Sequence, residues 1–133
     1  MSAGECMDMC KKDKKATPSS YTELEEGCDM CLVSAIAQQP VSVAIEADHR
    51  EFMFYKSGVF NANCGENLDH GVTAVGYGET ETGQKYYKVK NSWGHTWGMD
   101  GYILLERGSA VDPEEAHKGK CGILMGPPVF PAL

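Results

Sequence analysis

The stretch from Leu68 to Trp97 constrains the fold more than any other. It reads Leu-Asp-His-Gly-Val-Thr-Ala-Val-Gly-Tyr-Gly, then a polar turn, then Tyr-Tyr-Lys-Val-Lys-Asn-Ser-Trp-Gly-His-Thr-Trp-Gly. Two runs of β-branched and aromatic residues flank a Gly-bounded polar loop, which is the pattern of a β-hairpin. If the loop centres between Thr80 and Glu81, His70 faces Asn91, Val72 faces Val89 and Ala74 faces Tyr87. Alternate residues of a strand share a face. His70, Val72 and Ala74 then lie with Asn91, Val89 and Tyr87 on the apolar, buried face, while Lys88 and Lys90 lie on the other. Opposed Cβ atoms sit roughly 4.5–5.5 Å apart, close enough for a carboxamide to hold an imidazole. A slip of one residue would separate the pair.

The rest of the chain supplies a small core. A length of 133 residues suits one domain. The net charge of −7 and the absence of a basic stripe argue against nucleic acid as a partner. Lys11, Lys12, Lys14 and Lys15 read as a solvated run. No apolar run approaches the roughly 18 residues of a membrane span, so no membrane partner is expected. Residues 1–16 are polar and do not read as a signal peptide.

In chain order, residues 1–20 read as an irregular polar segment. Residues 25–39 read as the one main helix, with Met30, Val33, Ile36 and Ala37 on its apolar face and Pro40 stopping it. Val41 to Ile45 alternates as a strand. Residues 48–55 suit one or two helical turns, with Phe52 and Tyr55 inward. Gly58-Val59-Phe60 leads into a loop carrying Cys64. After the hairpin, residues 101–107 form a further strand and residues 113–119 an exposed acidic excursion. Residues 121–125 return to the core, and Pro127, Pro128 and Pro131 keep the tail extended. One helix with several antiparallel strands is an α+β pattern.

Six cysteines (Cys6, Cys10, Cys28, Cys31, Cys64 and Cys121) lean towards an oxidising compartment or a metal site. Sequence alone does not choose among their pairings. Cys6-x3-Cys10 with Cys28-x2-Cys31 has zinc-ligand spacing. The plainer alternative makes Cys28 and Cys31, one turn apart on the helix, partly buried thiols.

A core histidine satisfied by a neighbouring asparagine is the simplest account of His70 and Asn91. A set of ordered motifs changes that balance. Gln39-Pro40-Val41-Ser42-Val43, Asp69-His70-Gly71-Val72 with Val75-Gly76-Tyr77-Gly78, Asn91-Ser92-Trp93-Gly94 with Trp97-Gly98, Gly101-Tyr102 and Cys121-Gly122 resemble the papain-like cysteine peptidases in order and spacing. The resemblance runs from about Tyr21 to the C-terminus. It implies that residues 21–133 are the C-terminal, right-hand half of such a domain, an antiparallel barrel-like half. The nucleophile motif of the family, Cys-Gly-Ser-Cys-Trp or close to it, is not in this sequence. The resemblance therefore implies a missing N-terminal half carrying the nucleophilic Cys and the oxyanion Gln.

The roles it implies are specific. His70 matches the general acid/base and Asn91 its orienter, and Trp93 matches the indole covering their hydrogen bond. Ala44, Leu68, Gly71 and Gly126 match positions lining a substrate pocket, and the Asp69 backbone matches a substrate-aligning carbonyl. Cys64 and Cys121 match a disulfide of this half, closing the loop 65–120 for about 2–4 kcal/mol. Cys10 resembles a cysteine that pairs with the other half. No cofactor and no metal are implied. The partners implied are a peptide or protein substrate and the other half, in a secreted or lysosomal/vacuolar setting. The function expected is cysteine-type endopeptidase chemistry that this chain cannot perform alone. The alternative is a non-catalytic half-domain acting as a binding or regulatory protein.

Overall fold

A computed structural model describes residues 18–108 and 110–132. The expectations placed on residues 1–17, including Cys6, Cys10 and the lysine run, lie outside the described residues. Seven strands form one sheet: β1 (Ser20–Glu23), β2 (Val41–Ile45), β3 (Val59–Phe60), β4 (His70–Glu79), β5 (Lys85–Lys90), β6 (Tyr102–Glu106) and β7 (Val129–Ala132), in the order β1-β7-β2-β4-β5-β6-β3. All pairings are antiparallel except β3 with β6. Three short helices accompany them: α1 (Asp29–Ile36), α2 (Arg50–Met53) and α3 (Pro113–Lys118). The α+β class read from the sequence is the class observed.

The alternation of β2 explains its place. Val41, Val43 and Ile45 are buried and Ser42 is exposed, so one face of the strand enters the core. On β4 their partners are Ala74, Val72 and His70, which places the imidazole at the end of the same face. Leu32 and Ile36 of α1 close over this face, and Phe52, Ile103, Leu105 and Ile123 complete the core.

The hairpin differs from its expected register. Ala74 faces Val89 instead of Tyr87, and Thr73 faces Lys90. A bulge between Ala74 and Gly76 then lets Tyr77 face Tyr87. The loop lies later than expected. The Thr80 carbonyl accepts the Gly83 N–H, the Thr80 N–H donates to the Gln84 carbonyl, and the Gln84 N–H donates to Thr80 Oγ1, while Gly83 takes φ +87°. Before the bulge the slip is two residues. An even slip keeps every side chain on its face, so His70 and Asn91 remain neighbours, now diagonally.

The main helix is shorter than the expected 25–39 and turned about its axis. Gly27 at φ +74° and extended Cys28 start it late. Leu32, Ala35 and Ile36 are its buried residues, whereas Met30 and Ala37 are exposed. Cys28 and Cys31 are joined in a disulfide, which corrects their reading as free thiols and withdraws both from a set of zinc ligands. Cys64 and Cys121 form a second disulfide, the pairing the resemblance implies. Residues 113–117 are exposed as expected, but the segment to Lys118 is helical. Asp112 accepts the Glu114 N–H at 2.8 Å, Pro113 takes the first turn, and Lys118 pairs with Glu66 at 2.9 Å. Among the described residues no helix is long and apolar enough to cross a membrane.

Candidate active site

His70 opens β4 and Asn91 follows directly on β5. The Asn91 main-chain N–H is held by the Gly101 carbonyl at 3.0 Å, so the ladder fixes its backbone. The His70 Nε2 lies 2.7 Å from Asn91 Oδ1. Oδ1 also accepts the Ser92 main-chain N–H at 2.7 Å. A backbone N–H can only donate, so the shared atom must be the amide oxygen. An amide oxygen can only accept, so the Nε2 of a neutral His70 carries the proton and donates it. The lone pair is then on Nδ1. Asn91 is 5 % exposed, which shields this hydrogen bond from water. Its Nδ2 is buried without a partner among the described residues.

Trp93 stacks on the imidazole with ring centroids 5.2 Å apart and planes at 30°. Phe52 meets Trp93 edge-on at 5.6 Å, and Trp97 meets it edge-on at 5.4 Å. Trp97 is tied by its Nε1–H to the Met53 carbonyl at 3.1 Å. The indole over His70 is thus braced from behind by α2 and by Trp97. Sequence reasoning placed Phe52 in the core but not under the site. The bracing role of Met53 had no local sequence signal, because it uses only the main-chain carbonyl.

The expected pocket residues also converge. Ala44 pairs with Gly71 across β2 and β4. A side chain at Gly126 would meet Leu68 Cδ1 at 3.2 Å and Ala44 Cβ at 3.6 Å, so these three positions share one small space. Nothing lies within 4 Å of a side chain built at Gly71. The Asp69 carboxylate turns back to accept the Ala47 N–H at 2.9 Å, and its own N–H donates to the Ile45 carbonyl at 3.0 Å. These contacts fix the peptide immediately before His70. The disulfide to Cys121, which is buried, holds the turn that leads to Gly126.

Chemically, the cluster offers one oriented imidazole with its unshared pair on Nδ1. Such a group can take a proton from a thiol, hydroxyl or water brought to it, and return it to a leaving group. Among the described residues every cysteine is in a disulfide, so none of these sulfurs is a nucleophile in this state.

Comparison with known proteins gives concordant findings. The model of the papain family cysteine proteases matches residues 1–128. The probable cysteine protease RD21B of Arabidopsis thaliana is 50% identical over 122 residues, covering 92% of this chain and 25% of that protein. The cysteine endopeptidase RepA of Oryza sativa subsp. japonica is 45% identical over 122 residues, covering 92% and 31%. The crystal structure of the Amb a 11 cysteine protease, a major ragweed pollen allergen, in its proform superposes with TM-score 0.86 at 36% identity, covering 97% of this chain and 34% of that one. Bromelain from Ananas comosus superposes with TM-score 0.81 at 39% identity, covering 90% and 53%. The chain spans about a quarter to a third of the length of these curated relatives.

Proposed function

Because the chain belongs to the papain family of cysteine proteases, we propose that it supplies the acid/base half of a cysteine endopeptidase centre. His70 is the general acid/base, Asn91 orients it, and Trp93 covers their hydrogen bond. The nucleophilic thiol and the oxyanion-hole glutamine come from a separate segment. The observation that carries this reading is the double donation to Asn91 Oδ1, which leaves the His70 lone pair on Nδ1. A free thiol with a pKa of about 8.5 is mostly protonated at neutral pH. Beside Nδ1 it loses that proton, and the imidazolium so formed stabilises the thiolate. After attack on a peptide carbonyl, the same nitrogen returns the proton to the departing amine.

Peptide substrates would lie across the ends of β2 and β4 where Ala44 faces Gly71. Gly126, Ala44, Leu68 and Gly71 would receive an apolar side chain, and the Asp69 backbone would align the substrate chain. Two disulfides suit a secreted or vacuolar setting. The test is reconstitution. The purified chain should not react with an epoxide cysteine-protease inhibitor. Co-expressed with a family segment bearing the nucleophile, it should become labelled on that partner and cleave peptides. Labelling of the 133-residue chain by itself would refute the division of roles.

A further inference from the structure

The Cys28–Cys31 disulfide has no part in that chemistry, and its setting differs from that of a structural cross-link. It joins residues three apart, so the ring it closes lies within one turn and ties no second element to the fold. Both cysteines are half-buried, not enclosed. Cys28 occupies the N-cap of α1, where its Sγ accepts the Cys31 main-chain N–H at 3.1 Å. Cys31 stands on the wall of an open groove of about 470 Å³, with Leu24, Met30, Ala35 and Phe130 beside it. Met30 is 66% exposed.

We propose that Cys28–Cys31 is a thiol–disulfide exchange site for small dithiols. A dithiol thiolate enters from the groove and attacks Cys31 Sγ. The Sγ–Sγ bond breaks and its electron pair leaves on Cys28. There the Cys31 N–H and the helix N-terminus stabilise the thiolate, which favours it as the leaving group. The second thiol of the reductant then attacks its own sulfur in the mixed disulfide, releasing Cys31. The dithiol ends as a cyclic disulfide, having passed two electrons and two protons to Cys28 and Cys31. The nearby Glu25 carboxylate, within 4.8 Å of both sulfurs, can carry a proton during the exchange.

The test uses the whole chain equilibrated with graded dithiothreitol, acid-quenched, alkylated and mapped by mass spectrometry, with circular dichroism read in parallel. Cys28–Cys31 should open at a dithiothreitol concentration at least about tenfold below that for Cys64–Cys121, with the folded signal intact. Opening of both bonds together, or only with loss of structure, overturns the proposal. So does finding Cys28 and Cys31 as thiols in protein purified without reductant. With a monothiol such as 2-mercaptoethanol, quenched early with acid, the mixed disulfide should appear on Cys31, leaving Cys28 as the free thiol, before it appears on Cys28. The reverse order would contradict attack from the groove.

Discussion

Two polar clusters share the buried face of β5 and its continuation, Tyr87 within the strand and Asn91 just past it, and they differ in how their networks end. At one, Tyr87 is 1 % exposed, and its hydroxyl donates to the Asp29 carboxylate of α1. Arg107 lies 3.6 Å from that carboxylate and over the Tyr87 ring at 5.6 Å. The phenol, the acid and the guanidinium there answer one another from three elements. At the other end, Asn91 accepts two hydrogen bonds, its Nδ2 is buried without a partner among the described residues, and His70 keeps one ring nitrogen for other work. The first cluster is closed and holds α1 to the sheet. The second is held from one side only, which is the arrangement the proposed acid/base role needs. The difference teaches that burial of a polar side chain is not by itself a mark of function; what separates the clusters is whether the network ends inside the chain.

Changes at the two ends should therefore separate activity from stability. The largest effect is expected for His70→Ala, which should lower peptidase activity of the reconstituted protein by about 10²–10⁴-fold. Stability should change by no more than about 1 kcal/mol. Equal loss of both in denaturant titration would erase the contrast. Asn91→Ala should follow, with activity down by up to about a hundredfold through misorientation of the ring. Adding back the amide as Asn91→Gln should not restore it, because the longer side chain displaces the oxygen.

At the closed end the order reverses. Tyr87→Phe should cost about 0.5–1.5 kcal/mol of stability by removing the hydrogen bond to Asp29, whose carboxylate is partly exposed and keeps Arg107 beside it, with unchanged activity per folded molecule. A drop in activity without a drop in melting temperature would show the clusters to be coupled. The smallest effect concerns pH. Burial first, then the hydrogen bond to Asp29 and its negative charge, raise the Tyr87 pKa above its ordinary value of about 10. The folded state therefore holds the phenolic proton more tightly than the unfolded one. This contribution is fully present below pH 10 and is lost as pH rises above it. Wild-type stability should fall more steeply than that of Tyr87→Phe in alkaline titrations; parallel curves would remove Tyr87 from the account.

The open cluster was legible in the sequence, although the exact pairing was not. Period-2 alternation fixed which residues share a face, and that survived because the hairpin slipped by two. The bulge at Val75 had a cue in Gly76, a glycine inside a strand run, but that cue does not say how far the register shifts, so the loop position could not be placed from the Gly-bounded turn alone. The helix erred differently. Its apolar residues admit two neighbouring faces, and packing against β2 and β4 chose the one with Leu32 and Ala35 over Met30. β1 was invisible because Ser-Tyr-Thr-Glu carries no apolar period and its partner β7 lies at the far end of the chain. α3 could have been found: Asp112, Pro113, Glu114 and Glu115 are a complete helix start, with His117 and Lys118 in the last turn. The closed cluster was the least legible, since Asp29, Tyr87 and Arg107 are brought together only by tertiary packing.

The most direct measurement is the tautomer of His70 in the folded chain, read from two-bond ¹H–¹⁵N correlations of the neutral ring. The account expects the proton of the neutral ring on Nε2 and an unprotonated Nδ1, with this preference weakened in Asn91→Ala. A neutral His70 with its proton on Nδ1 would turn its lone pair to Nε2, against Asn91 Oδ1, and would contradict the assignment of Nδ1 as the base.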